Sequence, residues 1–155
     1  MSIYKTIKTK SEGNFIDKGS KFPSYAFEVA DADEIKKYLE EVKELHPKAT
    51  HHCYAYKLGL DQNNYRANDD GEPTNSAGKP IYGQLLSAEV TNVLVIVVRY
   101  FGGTKLGLSG LITAYKEASP SALSAGSMFV FHGPRKGILI NYPDRESIKN
   151  KIEWI

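Results

Sequence analysis

The aliphatic run Val93 to Val98 leads directly into Arg99-Tyr-Phe-Gly-Gly-Thr-Lys-Leu-Gly-Leu-Ser-Gly-Leu111, and no other stretch limits the fold as much. An unbroken apolar run of this length reads as a strand buried on both faces, followed by a glycine-rich loop and then a helix. Gly102, Gly103, Gly107 and Gly110 let the backbone approach another molecule closely, while Arg99 and Lys105 place positive charge beside them. Such a loop can cradle an anion. Two familiar phosphate loops are excluded, because Lys105 is followed by Leu106 rather than Ser or Thr, and the glycines lack the Gly-x-Gly-x-x-Gly spacing. Neither ATP hydrolysis nor NAD binding follows. The same glycines also suit tight packing of a helix on a sheet.

Strand-like alternation over residues 3–9 and 20–29 precedes the clearest helix, residues 31–45. Asp31 or Asp33 caps that helix, Ile35, Leu39, Val42 and Leu45 form its apolar stripe, and Pro47 bars continuation. Residues 49–58 read as a central strand, with a short strand near Tyr65 pairing as a hairpin. The polar run 67–79 is a long loop of the kind that carries function. A helix then starts near Pro80, with Ser76 or Thr74 as its cap, and delivers the chain to the Val93 strand. After the glycine loop, Leu108, Leu111, Ile112, Tyr115 and Ala118 recur at helical spacing until Pro120 ends the helix near Ser119. Strands at 127–132 and 137–142 flank a Gly133-Pro134 turn, and Ile148, Ile152 and Ile155 mark a last amphipathic segment.

With 155 residues, 41% of them hydrophobic, the chain can bury one real core. Cys53 is the single cysteine, so no intramolecular disulfide forms, and a reducing cytoplasmic setting is expected. No signal core or membrane-length apolar run is present. A formal charge of +2 does not demand a nucleic-acid partner. Acidic side chains concentrate in residues 31–45 and 61–76, and ten tyrosines are available to line a sheet or stack on bases.

His46, His51, His52 and Cys53 are metal-ligand types, yet His51 and His52 point to opposite faces of a strand and no second ligand pair has zinc spacing. No metal and no cofactor is expected. Cys53 reads as a small buried hydrophobe rather than a nucleophile. Asp69, Asp70 and Glu72 allow acid/base chemistry or turn capping, with capping preferred for at least one because Asp-Gly and Glu-Pro are strong turn dipeptides. Pairing of these acids with Arg99 and Lys105 would hold the two loops together as a rigid scaffold.

Taken in order, His51-His-Cys-Tyr-Ala-Tyr56, Asp69-Asp-Gly-Glu-Pro73, Ser76-Ala-Gly-Lys-Pro-Ile81 and the Arg99 to Gly107 loop resemble the IMPACT/YigZ family. The likeness runs over roughly residues 15–125, and includes Gly19-Ser-Lys-Phe22 and Gly110-Leu-Ile-Thr-Ala-Tyr115. Thr113, where the family pattern has arginine, and Pro120 depart from it. The resemblance implies an α+β fold: a two-layer sandwich of a mixed or antiparallel sheet with helices on one face, similar to domain four of elongation factor G. It also implies residues 1–130 as the N-terminal domain and residues 131–155 as the start of a C-terminal ferredoxin-like domain. Eukaryotic relatives are translation regulators, and no catalytic residues come with the family.

The expected function is a non-catalytic module that binds structured RNA, the ribosome or a translation factor. Arg99, Tyr100, Gly102, Gly103, Lys105, Gly107 and Gly110 would contact the ligand, with Arg66 and Tyr54 adjacent. His51, His52, Asp69, Asp70, Gly71, Glu72, Pro73 and Gly78 would form the second motif loop. The alternatives are a small enzyme using Asp69, Asp70 or Glu72 with Arg99 and Lys105 on an anionic substrate, and a protein-binding adaptor. Oligomeric state is left open.

Overall fold

A computed structural model describes residues 2–7, 9–120, 123, 127–132 and 138–140. The amphipathic segment expected at 148–155, the Gly133-Pro134 turn and most of the expected ferredoxin-like portion lie outside these residues. In chain order the elements are β1 (Ser2–Ile7), β2 (Ser11–Gly13), β3 (Ile16–Asp17), β4 (Ser20–Lys21), β5 (Ser24–Glu28), α1 (Ala32–Leu45), β6 (His51–Lys57) and β7 (Tyr65–Asn68). There follow α2 (Gly78–Ala88), β8 (Val93–Arg99), α3 (Gly107–Ala118), β9 (Ser127–His132) and β10 (Ile138–Ile140).

The main sheet has the order β2-β5-β8-β6-β7 and is antiparallel throughout. All seven residues of β8 are buried, which places the aliphatic run at the centre, as an all-apolar strand requires. β6 lies beside it and forms the expected hairpin with β7, so β7 and not β6 is the sheet edge. A second, three-stranded sheet joins β1, β9 and β10, and β3 and β4 form a small hairpin.

The α+β class and the antiparallel sheet are as expected, but the helices divide between two faces. On one face Cys53, Val95 and Val97 pack with Ile81 and Leu85 of α2 and with Leu111 and Tyr115 of α3. On the other, Leu94, Ile96 and Val98 pack with Ile35 and Val42 of α1. A strand that is apolar at every position needs cover on both sides, which a single helical layer cannot give.

The α1 boundaries follow local chemistry. Asp31 Oδ1 accepts the Glu34 N–H at 2.9 Å, and the helix stops at Leu45, two residues before Pro47. Pro120 likewise ends α3 at Ala118, with Ser119 as the capping residue.

Candidate functional site

The two motif loops meet, and a capping interaction brings them together. Asp69 accepts the backbone N–H groups of Asn75, Ala77 and Gly78 at 3.0, 3.1 and 2.8 Å, so one carboxylate closes the loop and caps α2. The cap expected from Ser76 or Thr74 is not used, since Ser76 Oγ donates instead to the Pro73 carbonyl. Gly78 packs directly on the β7 backbone, where a Cβ would lie 2.5 Å from the Asn68 nitrogen. Asp70 ties the loop to β6. Its carboxylate accepts the His52 N–H at 2.7 Å and its carbonyl accepts from His51 Nδ1 at 2.7 Å, with Gly71 against the His51 ring.

So anchored, the loop delivers Glu72 to the end of β8. Arg99 Nη1 donates to both Glu72 oxygens at 2.9 and 2.8 Å, the Tyr115 hydroxyl donates to Oε2 at 2.7 Å, and His51 Nε2 lies 3.0 Å from Oε1. Oε2 thus accepts from both Arg99 and Tyr115, and Oε1 accepts from Arg99 with the His51 ring beside it. Burial keeps Tyr115 protonated far above the usual phenol range, with Cys53 and Glu72 adding to the effect, so it serves as a donor. Burial also pushes the Cys53 thiol well up, and Tyr115 opposes this only in part. A thiol held that way is no nucleophile. Among the described residues no group of three His, Cys, Asp or Glu stands where it could hold a metal ion.

This geometry changes the roles of the expected ligand contacts. Arg99 is buried and its charge is matched by Glu72, so it is a scaffold ion pair and not a free phosphate contact. Gly102 is pressed against the β3–β4 hairpin and its N–H donates to Ser20 Oγ at 3.1 Å. Lys105, Gly103 and Gly107 stay exposed, while Gly110 packs on Leu106.

Tyr100 adjoins the glycine loop along the chain, but its side chain, like those of Tyr54 and Arg66, lies on the opposite face of the sheet from Arg99. They sit on the α1 face, with Arg66 stacked over Tyr54 at 5.9 Å and Tyr100 in the apolar cluster. Side chains alternate along a strand, so Arg99 and its neighbour Tyr100 face opposite ways.

On the α1 face His46 links two hydroxyls, with Nε2 2.5 Å from Tyr25 and Nδ1 2.6 Å from Tyr100. Burial, then nearby His52, lowers the His46 pKa below its ordinary 6.5. The unfolded chain therefore binds more protons just below that value, and stability falls as pH drops through it. Urea midpoints measured across this window should decline in the wild type and decline less in His46→Gln. Equal slopes would show that His46 is not the group responsible.

What the sequence did not reveal is a cleft of about 510 Å³ above the Glu72 network, walled by Pro73, Phe101, Leu106, Leu108 and Leu111, with Lys105 at its rim. Leu108 and Ile112 belong to the apolar stripe of α3, yet they are 58% and 38% exposed, and Phe101 is 51% exposed. The available signal was the width of that stripe, which exceeds what one sheet face can cover.

A model of the Impact N-terminal domain matches residues 18–123. IMPACT family member YvyE of Bacillus subtilis (strain 168) is 36% identical over 121 residues, covering 78% of this chain and 56% of that protein. IMPACT family member YigZ of Escherichia coli (strain K12) is 39% identical over 108 residues, covering 68% and 53%. A crystal structure described as that of an hypothetical protein superposes with a TM-score of 0.73 at 29% identity, covering 90% of this chain and 64% of that one. The chain spans about half the length of the curated relatives it matches.

Proposed function

This chain belongs to the IMPACT family, and on that premise we propose that it is a non-catalytic, translation-associated module that docks on the ribosome, its RNA or a translation factor. The observation that carries the reading is the structural use of all three loop carboxylates. Asp69 caps a helix, Asp70 holds a strand N–H, and Glu72 is surrounded by donors. A general base needs a free lone pair aimed at a substrate proton; Asp69 and Glu72 are committed to the scaffold, and Asp70, whose side chain is 45% exposed, does not line the cleft. What faces outward beside them is an apolar cleft, a surface suited to docking. The family likeness to elongation factor G domain four supports translation as the setting. Among the described residues no helix is long and apolar enough to cross a membrane.

The test is co-sedimentation with purified ribosomes. Wild type should pellet, and a folded Lys105→Glu/Leu108→Asp variant should remain in the supernatant. Arg99→Ala is unsuitable, because it strands Glu72 in the interior. Protein that never pellets, with purified ribosomes alone or with translation factors added, or a double variant that pellets equally well, would overturn the reading. With one free rim lysine instead of a phosphate clamp, binding should lose far less than the roughly thousandfold that salt imposes on a contact made through many phosphates.

A further inference from the structure

The cleft does not end at Leu108. One helical turn further along α3, Ile112 enters a second depression of about 410 Å³ that it shares with Asn75, Lys79 and Pro80. Phe101, Leu108 and Ile112 are all exposed, so the apolar floor runs past the start of α3 from one depression to the other. Among the described residues the unpaired charges on this floor have one sign. Lys105 lines the first depression and Lys79 the second, and neither makes an ion pair among the described residues. Glu72 is the one carboxylate lining either depression, and Arg99 already matches it. The first turn of α3 carries no acidic residue and no side-chain cap, which leaves the positive end of that helix open.

An apolar floor with a cation in each half and no unmatched anion fits a ligand that is apolar with negative charge on its flanks. We propose that this face binds a segment of a partner protein that carries apolar anchor residues flanked by Asp or Glu. The proposal rests on the binding-module reading above and names the chemistry of its partner. RNA fits the same surface less well. Single-stranded RNA binding draws on rows of aromatic platforms and dense positive charge, whereas this floor is mainly aliphatic with two lysines. The tyrosine and arginine cluster that resembles a stacking platform lies on the opposite face.

The test places a photo-crosslinking amino acid at exposed Leu108, and at exposed Glu40 on α1 as a control, in the full chain within a ribosome-containing extract. Adducts from position 108 should survive nuclease and map by mass spectrometry to apolar segments bearing flanking Asp or Glu. Lys79→Glu/Lys105→Glu should reduce their yield about tenfold. A synthetic peptide of the mapped segment, with its acids changed to Lys, should then bind the charge-reversed variant better than the wild type. Nuclease-sensitive adducts, adducts on segments without acids, equal yield from position 40, or no adduct at all would overturn the proposal. Sedimentation separates the two claims. Wild type that pellets but crosslinks only to RNA keeps the translation reading and ends this one. Acidic-segment adducts from protein that never pellets would do the reverse.

Discussion

Glu72→Ala should cost about 3–5 kcal/mol of folding stability, the range found when one member of a buried ion pair is removed. The Arg99 side chain is 8% exposed and Glu72 4%, so neither has water to replace the other. Without the carboxylate, the guanidinium keeps its charge beside Phe22 and Phe101, whose ring faces lie 5.7 Å away and compensate only in part. Tyr115 loses its acceptor in the same step. Tyr115→Phe should cost only about 1–2 kcal/mol, because it deletes the bond to Glu72 and the weak one from the Cys53 thiol but leaves the ion pair whole. The double variant Glu72→Ala/Arg99→Met should recover much of the loss, since removing both charges also removes the desolvation cost. Urea unfolding of the three variants decides the matter. Glu72→Ala within about 1 kcal/mol of wild type would mean that Arg99 reaches solvent and is a ligand contact after all.

The same ion pair shows how far the sequence could be read. Turn chemistry around Asp69 and Glu72 and charge at Arg99 together suggested loops held by acid–base pairing, and Glu72 with Arg99 is such a pair. Helix ends were legible wherever one residue decides them, as with Asp31 and Pro120. Which helices cover which face was not legible. Strand alternation sets Arg99 and Tyr100 on opposite faces, but a strand apolar at every position does not show which face meets α1 and which meets α2 and α3. Nor was the α2 cap, because Asp69 acts from nine residues before Gly78, beyond the reach of local capping patterns. The cleft was hidden for a related reason. Leu108 and Ile112 look like core residues in one dimension, and only the position of α2 and α3 on the sheet shows that nothing covers them.

The glycines of the loop separate by role, and Gly102→Ala against Gly103→Ala tests that separation. A Cβ at Gly102 would lie 2.1 Å from the Gly19 carbonyl carbon and 2.3 Å from the Ser20 nitrogen. These are backbone atoms, so no side-chain rotation relieves the overlap and the β3–β4 hairpin must move. That hairpin is held by Lys21 and Tyr100, whose backbones exchange hydrogen bonds at 3.0 and 2.9 Å. It leads directly into Phe22, which packs edge-on against Tyr115 at 5.3 Å, so displacement reaches the Glu72 network and the cleft floor. Gly102→Ala should therefore cost about 3 kcal/mol, the upper end of overpacking, and weaken docking with it. Gly103 has φ +90° and open space around its Cβ position. Alanine there should cost about 1 kcal/mol of backbone strain and leave docking intact. If Gly102→Ala unfolds at the wild-type urea midpoint, the hairpin contact is soft and the loop is free to be a ligand cradle. If instead Gly103→Ala abolishes ribosome pelleting while remaining folded, the loop backbone itself touches the partner, and docking extends from the cleft onto the glycines.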